Sequence, residues 1–200
     1  MANESSEHKN ILVQIFDSPE ELFISYFLKG KEVSFKQLTF LHIMLWIFAP
    51  LFRLFHNLTS IYVIPLVWRD YDPVKLTSGL LVSALIYPVF YVLILQIDVI
   101  RLYYRGSLQN YGGNPRHLIL LSFLPFSASF LFWILPFPLN TIFILFAFAY
   151  SIWLSYLSMR IASNYKPKQF MEFLLATCFY FLTIALFFNI LFHIYREVIL

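Results

Sequence analysis

Five histidines and one cysteine are the side chains best suited to metal or proton chemistry in this chain, and their spacing decides what they can do. His8, His42, His56, His117 and His193 lie far apart, and none sits in the H-E-x-x-H pattern that puts two imidazoles on one helical face. Cys178 has no partner thiol. No G-x-S-x-G elbow, phosphate-binding glycine loop or dinucleotide fingerprint occurs. The residues therefore predict no catalytic centre, no metal site and no cofactor. His42 is the one ionisable group deep in an apolar run, where hydrogen bonding inside a helix bundle explains it more simply than a proton path. Asp98 and Arg101, three apart, read as a structural ion pair. The stretch Y-Y-R-G-S-L-Q-N-Y-G-G-N reads first as an interfacial turn and second as a lipid-headgroup contact. Asn57 to Thr59, N-L-T, matches a glycosylation acceptor.

The elements that hold these residues follow from composition. With 60% hydrophobic and 12% charged residues and a mean hydropathy of +0.72, the chain cannot clothe a soluble domain. An integral membrane protein is predicted. The net charge of +3 is scattered between apolar runs, so no nucleic-acid partner is expected. The start, M-A-N-E-S-S-E-H-K-N, lacks a basic region leading into an apolar one, so the first span is expected to serve as the targeting signal.

A charge near a bilayer centre costs at least ~2.5 kcal/mol, so stretches free of Asp, Glu, Lys and Arg mark the spans. Four occur: 37–52 (extended by a snorkelling Arg53), 76–97, 117–159 and 173–195. As a single helix, 117–159 would be about 64 Å long, twice a bilayer. It must fold back, and L-P-F-P-L-N is the place, because Pro136 and Pro138 remove amide donors and disfavour helix before them. Pro50, Pro88 and Pro125 fall inside spans as kinks, and Ile61 to Trp68 reads as an interfacial or re-entrant loop. The fold class is thus an all-α polytopic membrane helix bundle, one domain over 1–200. It comprises a cytoplasmic head (1–36) with a short amphipathic helix and a five-span bundle (37–200). Assigning lysines and arginines to alternate sides gives ten with the N-terminus and four opposite, which places the N-terminus in the cytoplasm and the C-terminus outside.

The head helix begins with Ser18 as N-cap, Pro19 at the first position and Glu20 and Glu21 against the positive dipole end. Leu22, Phe23, Tyr26 and Phe27 then form one apolar face, suited either to the membrane interface or to packing on loops of this protein. In the spans, Ala147, Ser151 and Ser155, spaced by four, make a small-residue ridge for close helix packing, and Gly79 and Ser83 a shorter one. Phe146 should face lipid.

Three stretches carry a family resemblance: S-P-E-E-L-F at 18–23, D-V-I-R-L-Y-Y-R-G at 98–106 and A-Y-S-I-W-L-S-Y-L at 149–157. With these, from about Ile11 to about His193, the chain resembles the Ypt-interacting-protein (YIP) domain family of small five-span membrane proteins. The resemblance implies a non-enzymatic protein that organises membrane or binds partners. Eukaryotic members are linked to Rab-type GTPases. Here the head is short and the D-L-x-G-P signature has no match, so a GTPase partner is not expected. The short form is more similar to bacterial members, which implies the bacterial cytoplasmic (inner) membrane. Expected partners are the lipid bilayer and other membrane proteins or further copies of the chain. The competing class is a small permease or channel subunit, which should show repeated halves, broken helices at a midplane site or buried charges.

Overall fold

The computed structural model describes residues 11–27, 34–63, 73–96 and 115–163, with scattered helical positions between 182 and 193. Among them all regular structure is helical: α1 (Ile11–Asp17), α2 (Pro19–Phe27), α3 (Phe35–Val63), α4 (Pro73–Gln96), α5 (Pro115–Ser122), α6 (Leu124–Ala128), a 3-10 segment (Ser129–Ile134) and α7 (Leu139–Ser163).

The apolar patterning of α3 shows what surrounds it. Leu38, His42, Ala49 and Asn57 recur at helical spacing and are buried, while Phe40, Ile47, Leu51 and Phe55 on other faces are exposed. In water such a surface would be a large aggregation-prone patch; in hydrocarbon it is the ordinary outer face of a span. The same holds for α7, where Leu145 and Phe146 are exposed and Leu154, Leu157 and Met159 are buried. These two helices are long and apolar enough to cross a membrane, and a third crossing arises if α5, α6 and the 3-10 segment count as one bent span. The chain is accordingly a membrane protein. At 29 residues α3 runs through Pro50 and past Arg53, further than charge-counting predicts. Ile61–Val63 therefore belongs to this helix rather than to a loop. α4 covers the second predicted span, with Leu76–Val92 as its apolar part. The 98–106 stretch, Cys178 and all but a few single positions of the predicted fifth span lie outside the described residues.

The fold-back falls at the prolines: the 3-10 segment ends at Ile134, Leu135 turns extended, and α7 starts at Leu139. Its first leg is not one kinked helix. Phe123 sits at φ −93°, ψ 8°, outside the helical region, and separates α5 from α6, with a bend of 40°. Pro125 explains the break, since it has no amide for the Leu121 carbonyl and its ring crowds the preceding turn. This broken leg is the centre of the fold. It packs on α7 along its whole length and on α3, and carries the buried Leu118, Leu120, Leu121, Leu124 and Phe126.

The head is tied to the bundle. Leu22 and Phe23 are buried and α2 packs on α7, so for these two side chains the structure has the packing alternative rather than the membrane interface. Tyr26 is half-buried, which pushes its phenol up to about 12, and the Phe27 side chain lies outside the described residues. The reason lies in α7: Tyr150 donates to the Ile15 carbonyl (2.9 Å) and stacks on Phe16 at 5.7 Å, and Arg160 reaches Glu20 (3.1 Å). The last pair is exposed and stabilises little; the buried apolar face holds the head in place. The large apolar side chains that the head leaves exposed are Val13, Phe16 and Ile24. Spin labels at Val13 and Phe16 should be reached by oxygen dissolved in lipid, while labels at Leu22 and Phe23 should be shielded. The reverse pattern would place α2 on the membrane interface instead.

Candidate functional site

The broken leg releases backbone groups in an apolar interior, and side chains from the neighbouring helices meet them. His42 of α3 is 1% exposed, and both ring nitrogens are engaged: Nε2 lies 2.9 Å from the Leu120 carbonyl and Nδ1 2.6 Å from Ser127 Oγ. A carbonyl only accepts, so Nε2 carries the proton. Trp46, one turn on, donates its indole N–H to the same Ser127 oxygen at 2.9 Å. If Ser127 in turn donates to Nδ1, every proton in the chain Trp46 to Ser127 to His42 to Leu120 has an acceptor, and the imidazole is neutral. A charged imidazole would donate from Nδ1 to the Ser127 oxygen as well and leave the serine hydroxyl proton without a partner among the described residues. Rings enclose the group, Trp46 lying edge-on to Tyr91 at 4.9 Å and tilted to His42 at 5.8 Å. Beside them is a cavity of about 20 Å³, bordered by His42, Trp46, Tyr91, Phe123 and Ser127. It has room for about one water molecule.

A second chain runs in parallel across α4. Trp133 donates its N–H to the Tyr87 hydroxyl (3.0 Å), which lies 2.9 Å from Ser129 Oγ, and Ser129 donates to the Phe126 carbonyl (2.5 Å). Since Trp can only donate and Ser129 gives its proton to the backbone, Tyr87 must donate to Ser129. From the other side, Ser151 of α7 accepts the Phe126 amide (3.1 Å), a donor whose helical partner is lost at the break. Thus α3, α4 and α7 all attend to the broken leg with polar side chains, His42 and Trp46 from α3, Tyr87 from α4 and Ser151 from α7.

The predicted packing residues fall in several places. Ser151 and Ser155 are buried and Ala147 half-buried on α7, while Phe146 is 67% exposed. Ser155 Oγ has no hydrogen-bond partner. Ser83 is buried and donates to the Leu80 carbonyl (2.8 Å). Gly79 faces Arg53, where a Cβ would come within 2.9 Å of Nε. These positions do not gather into one site. Asn57 is buried inside α3, which corrects its reading as a glycosylation acceptor. Sequence reading passed over Ser127, Ser129 and Trp46; the signal was the serine run S-F-L-P-F-S-A-S around Pro125, a proline surrounded by hydroxyls able to reach backbone. Among the described residues no three potential metal ligands lie together.

Comparison with family models, with curated proteins and with solved structures returns no match.

The two chains share no side chain, which gives a specific expectation. Ser127→Ala leaves His42 Nδ1 and the Trp46 indole N–H without their shared partner and should cost about 1–3 kcal/mol of unfolding free energy, and Tyr87→Phe about the same. The two should add, whereas Ser127→Ala with Trp46→Phe should fall short of additivity. Unfolding in detergent measures all three; additivity of the second pair would rule out a shared Ser127 acceptor. By the same assay Ser151→Leu should destabilise the bundle and Phe146→Leu should not.

Proposed function

We propose that this chain is a non-enzymatic membrane scaffold of the YIP type. It has five spans, a cytoplasmic N-terminus, an external C-terminus and a place in a bacterial cytoplasmic membrane. It acts through other membrane proteins, further copies or the bilayer itself. The observation that carries this reading is how the interior uses its polar groups. His42, Ser127, Tyr87, Ser129 and Ser151 are all engaged with backbone or with each other around one helix break. An imidazole fixed between a carbonyl and a serine positions helices; it is not poised to receive a substrate proton. The charge bias of the loops supports the orientation, and the length of the 117–159 run supports an odd number of spans.

One observation favours the permease reading: a broken span with a polar side chain beside a cavity is the arrangement transporters use for a midplane site. Here the cavity holds about one water and its polar neighbours are already paired, so a solute would have to displace the bonds that keep the break in place. The scaffold reading is the better supported of the two. Crosslinking in native membranes followed by purification, with a flux assay on the purified protein in liposomes, separates them. Recovery of the same partner or a defined oligomer without solute flux is expected. Reproducible flux abolished by His42→Ala, with no partner recovered, would establish transport. Reporter fusions at Lys75, Asn110 and Asn140 should lie outside, inside and outside; Asn110 and Asn140 on one side would end the five-span topology.

A further inference from the structure

At the end of the bundle that carries the 135–138 turn, α3 buries donors that nothing accepts from. Arg53 Nε and Nη1 and Asn57 Nδ2 are all shielded from solvent, and none has a hydrogen-bond partner among the described residues. Asn57 is 4% exposed and lies one turn beyond Arg53 on the same face of α3. The three atoms are of one kind, for a guanidinium has no acceptor and an amide nitrogen only donates. Arg53 as a whole is half-buried; neutral protein groups or a water could satisfy such donors but would leave its positive charge without a counter-charge. An anion with several acceptor oxygens meets both needs.

The neighbours fix where that anion would come from. His56 donates Nδ1–H to the Ile134 carbonyl at 2.7 Å, which ties this stretch of α3 to the last residue before the turn. Gly79 of α4 lies against the guanidinium, and any side chain there would collide with it, a Cβ approaching within 2.9 Å of Nε and 3.1 Å of Nη2. Arg53 is therefore held in a recess of α4 and does not extend freely into the headgroups, as the sequence alone implied. Along α3 it lies about 27 Å from Phe35, close to the ~30 Å thickness of a hydrocarbon core. If the Phe35 end is at one headgroup layer, Arg53 and Asn57 are at the other.

We propose that Arg53 and Asn57 bind a phosphate group, presented by a phospholipid headgroup or free in solution, with Gly79 keeping the guanidinium in place. The site is independent of whether the protein is a scaffold or a permease. Native mass spectrometry of the detergent-purified protein tests it, with phosphatidylglycerol, phosphatidylcholine or inorganic phosphate added in turn. The native chain should retain phosphate-containing adducts. Arg53→Gln should lower retention about tenfold or more, as loss of a charge-assisted bond implies. Asn57→Leu should lower it less, and Gly79→Ala should weaken it by displacing the guanidinium while leaving the charge. Arg53→Lys keeps the charge and should fold even if Arg53→Gln does not, with retention between the two. Adducts of both phospholipids that survive added inorganic phosphate assign the lipid as source; adducts of inorganic phosphate alone assign the free ion. Equal retention by the native chain, Gly79→Ala, Asn57→Leu and Arg53→Lys would overturn the proposal, as would no phosphate-containing adduct on the native chain.

Discussion

A proline inside a membrane-spanning leg sets the central constraint of this molecule. Water cannot enter hydrocarbon to satisfy backbone groups, so each carbonyl and amide released at a break must find a partner within the protein. Pro125 deprives Leu121 of a donor, Phe123 leaves the helical region, and the leg bends between α5 and α6. The response comes from three directions. His42 of α3 takes the Leu120 carbonyl and Ser151 of α7 takes the Phe126 amide, while Ser129, oriented by Tyr87 of α4, adds a bond to the Phe126 carbonyl where the leg passes into the 3-10 segment. Hydrogen bonds in such places gain little in net free energy, yet losing one leaves an unsatisfied group at a cost of about 1–3 kcal/mol. The anchors consequently specify which helices lie next to the broken leg more than they add to its stability.

Between these anchors the bundle is filled by aromatic rings. Phe90 lies 4.7 Å from Phe126 and 5.2 Å from Phe148, and Phe126 is 5.4 Å from Phe148, so α4, α6 and α7 meet through one cluster of mutually tilted rings. Edge-to-face contacts of this type favour defined orientations beyond simple burial. Because lipid tails are as apolar as the core, burial alone discriminates poorly between a helix partner and the bilayer, and ring geometry with polar anchors does the selecting. The head follows a related logic. Its apolar face is covered by α7, and the surface it leaves outward mixes apolar Val13, Phe16 and Ile24 with acidic Asp17, Glu20 and Glu21.

Much of this was legible in the sequence, and the unread part has physical causes. The class followed from composition, the fold-back from Pro136 and Pro138 within a run too long for one crossing, and the isolation of His42 pointed to a hydrogen-bonded role. Ser151 was readable as small, but not as an acceptor for a backbone amide, since that depends on the register between α7 and α6. Pro125 alone is compatible with either a kink or a full break in a membrane span, and the neighbouring helices decide. Leu22 and Phe23 form the same amphipathic pattern whether they face lipid or protein, so periodicity had no means of choosing. Charge-counting ended the first span at Arg53 because it cannot see that a glycine on another helix makes room for the guanidinium.

The central claim is that His42 is a neutral, fixed link between the Leu120 carbonyl and Ser127. Nitrogen-15 spectroscopy of the histidine side chains, with His42 assigned through the Ser127→Ala variant, reads its protonation directly. The imidazole should appear as the neutral tautomer protonated at Nε2, unchanged from about pH 5 to about pH 8, the range in which an ordinary histidine changes charge. Signals from a titrating ring, or from the tautomer protonated at Nδ1, would contradict the account, because the chain from Trp46 to Leu120 would then lack a proton or an acceptor.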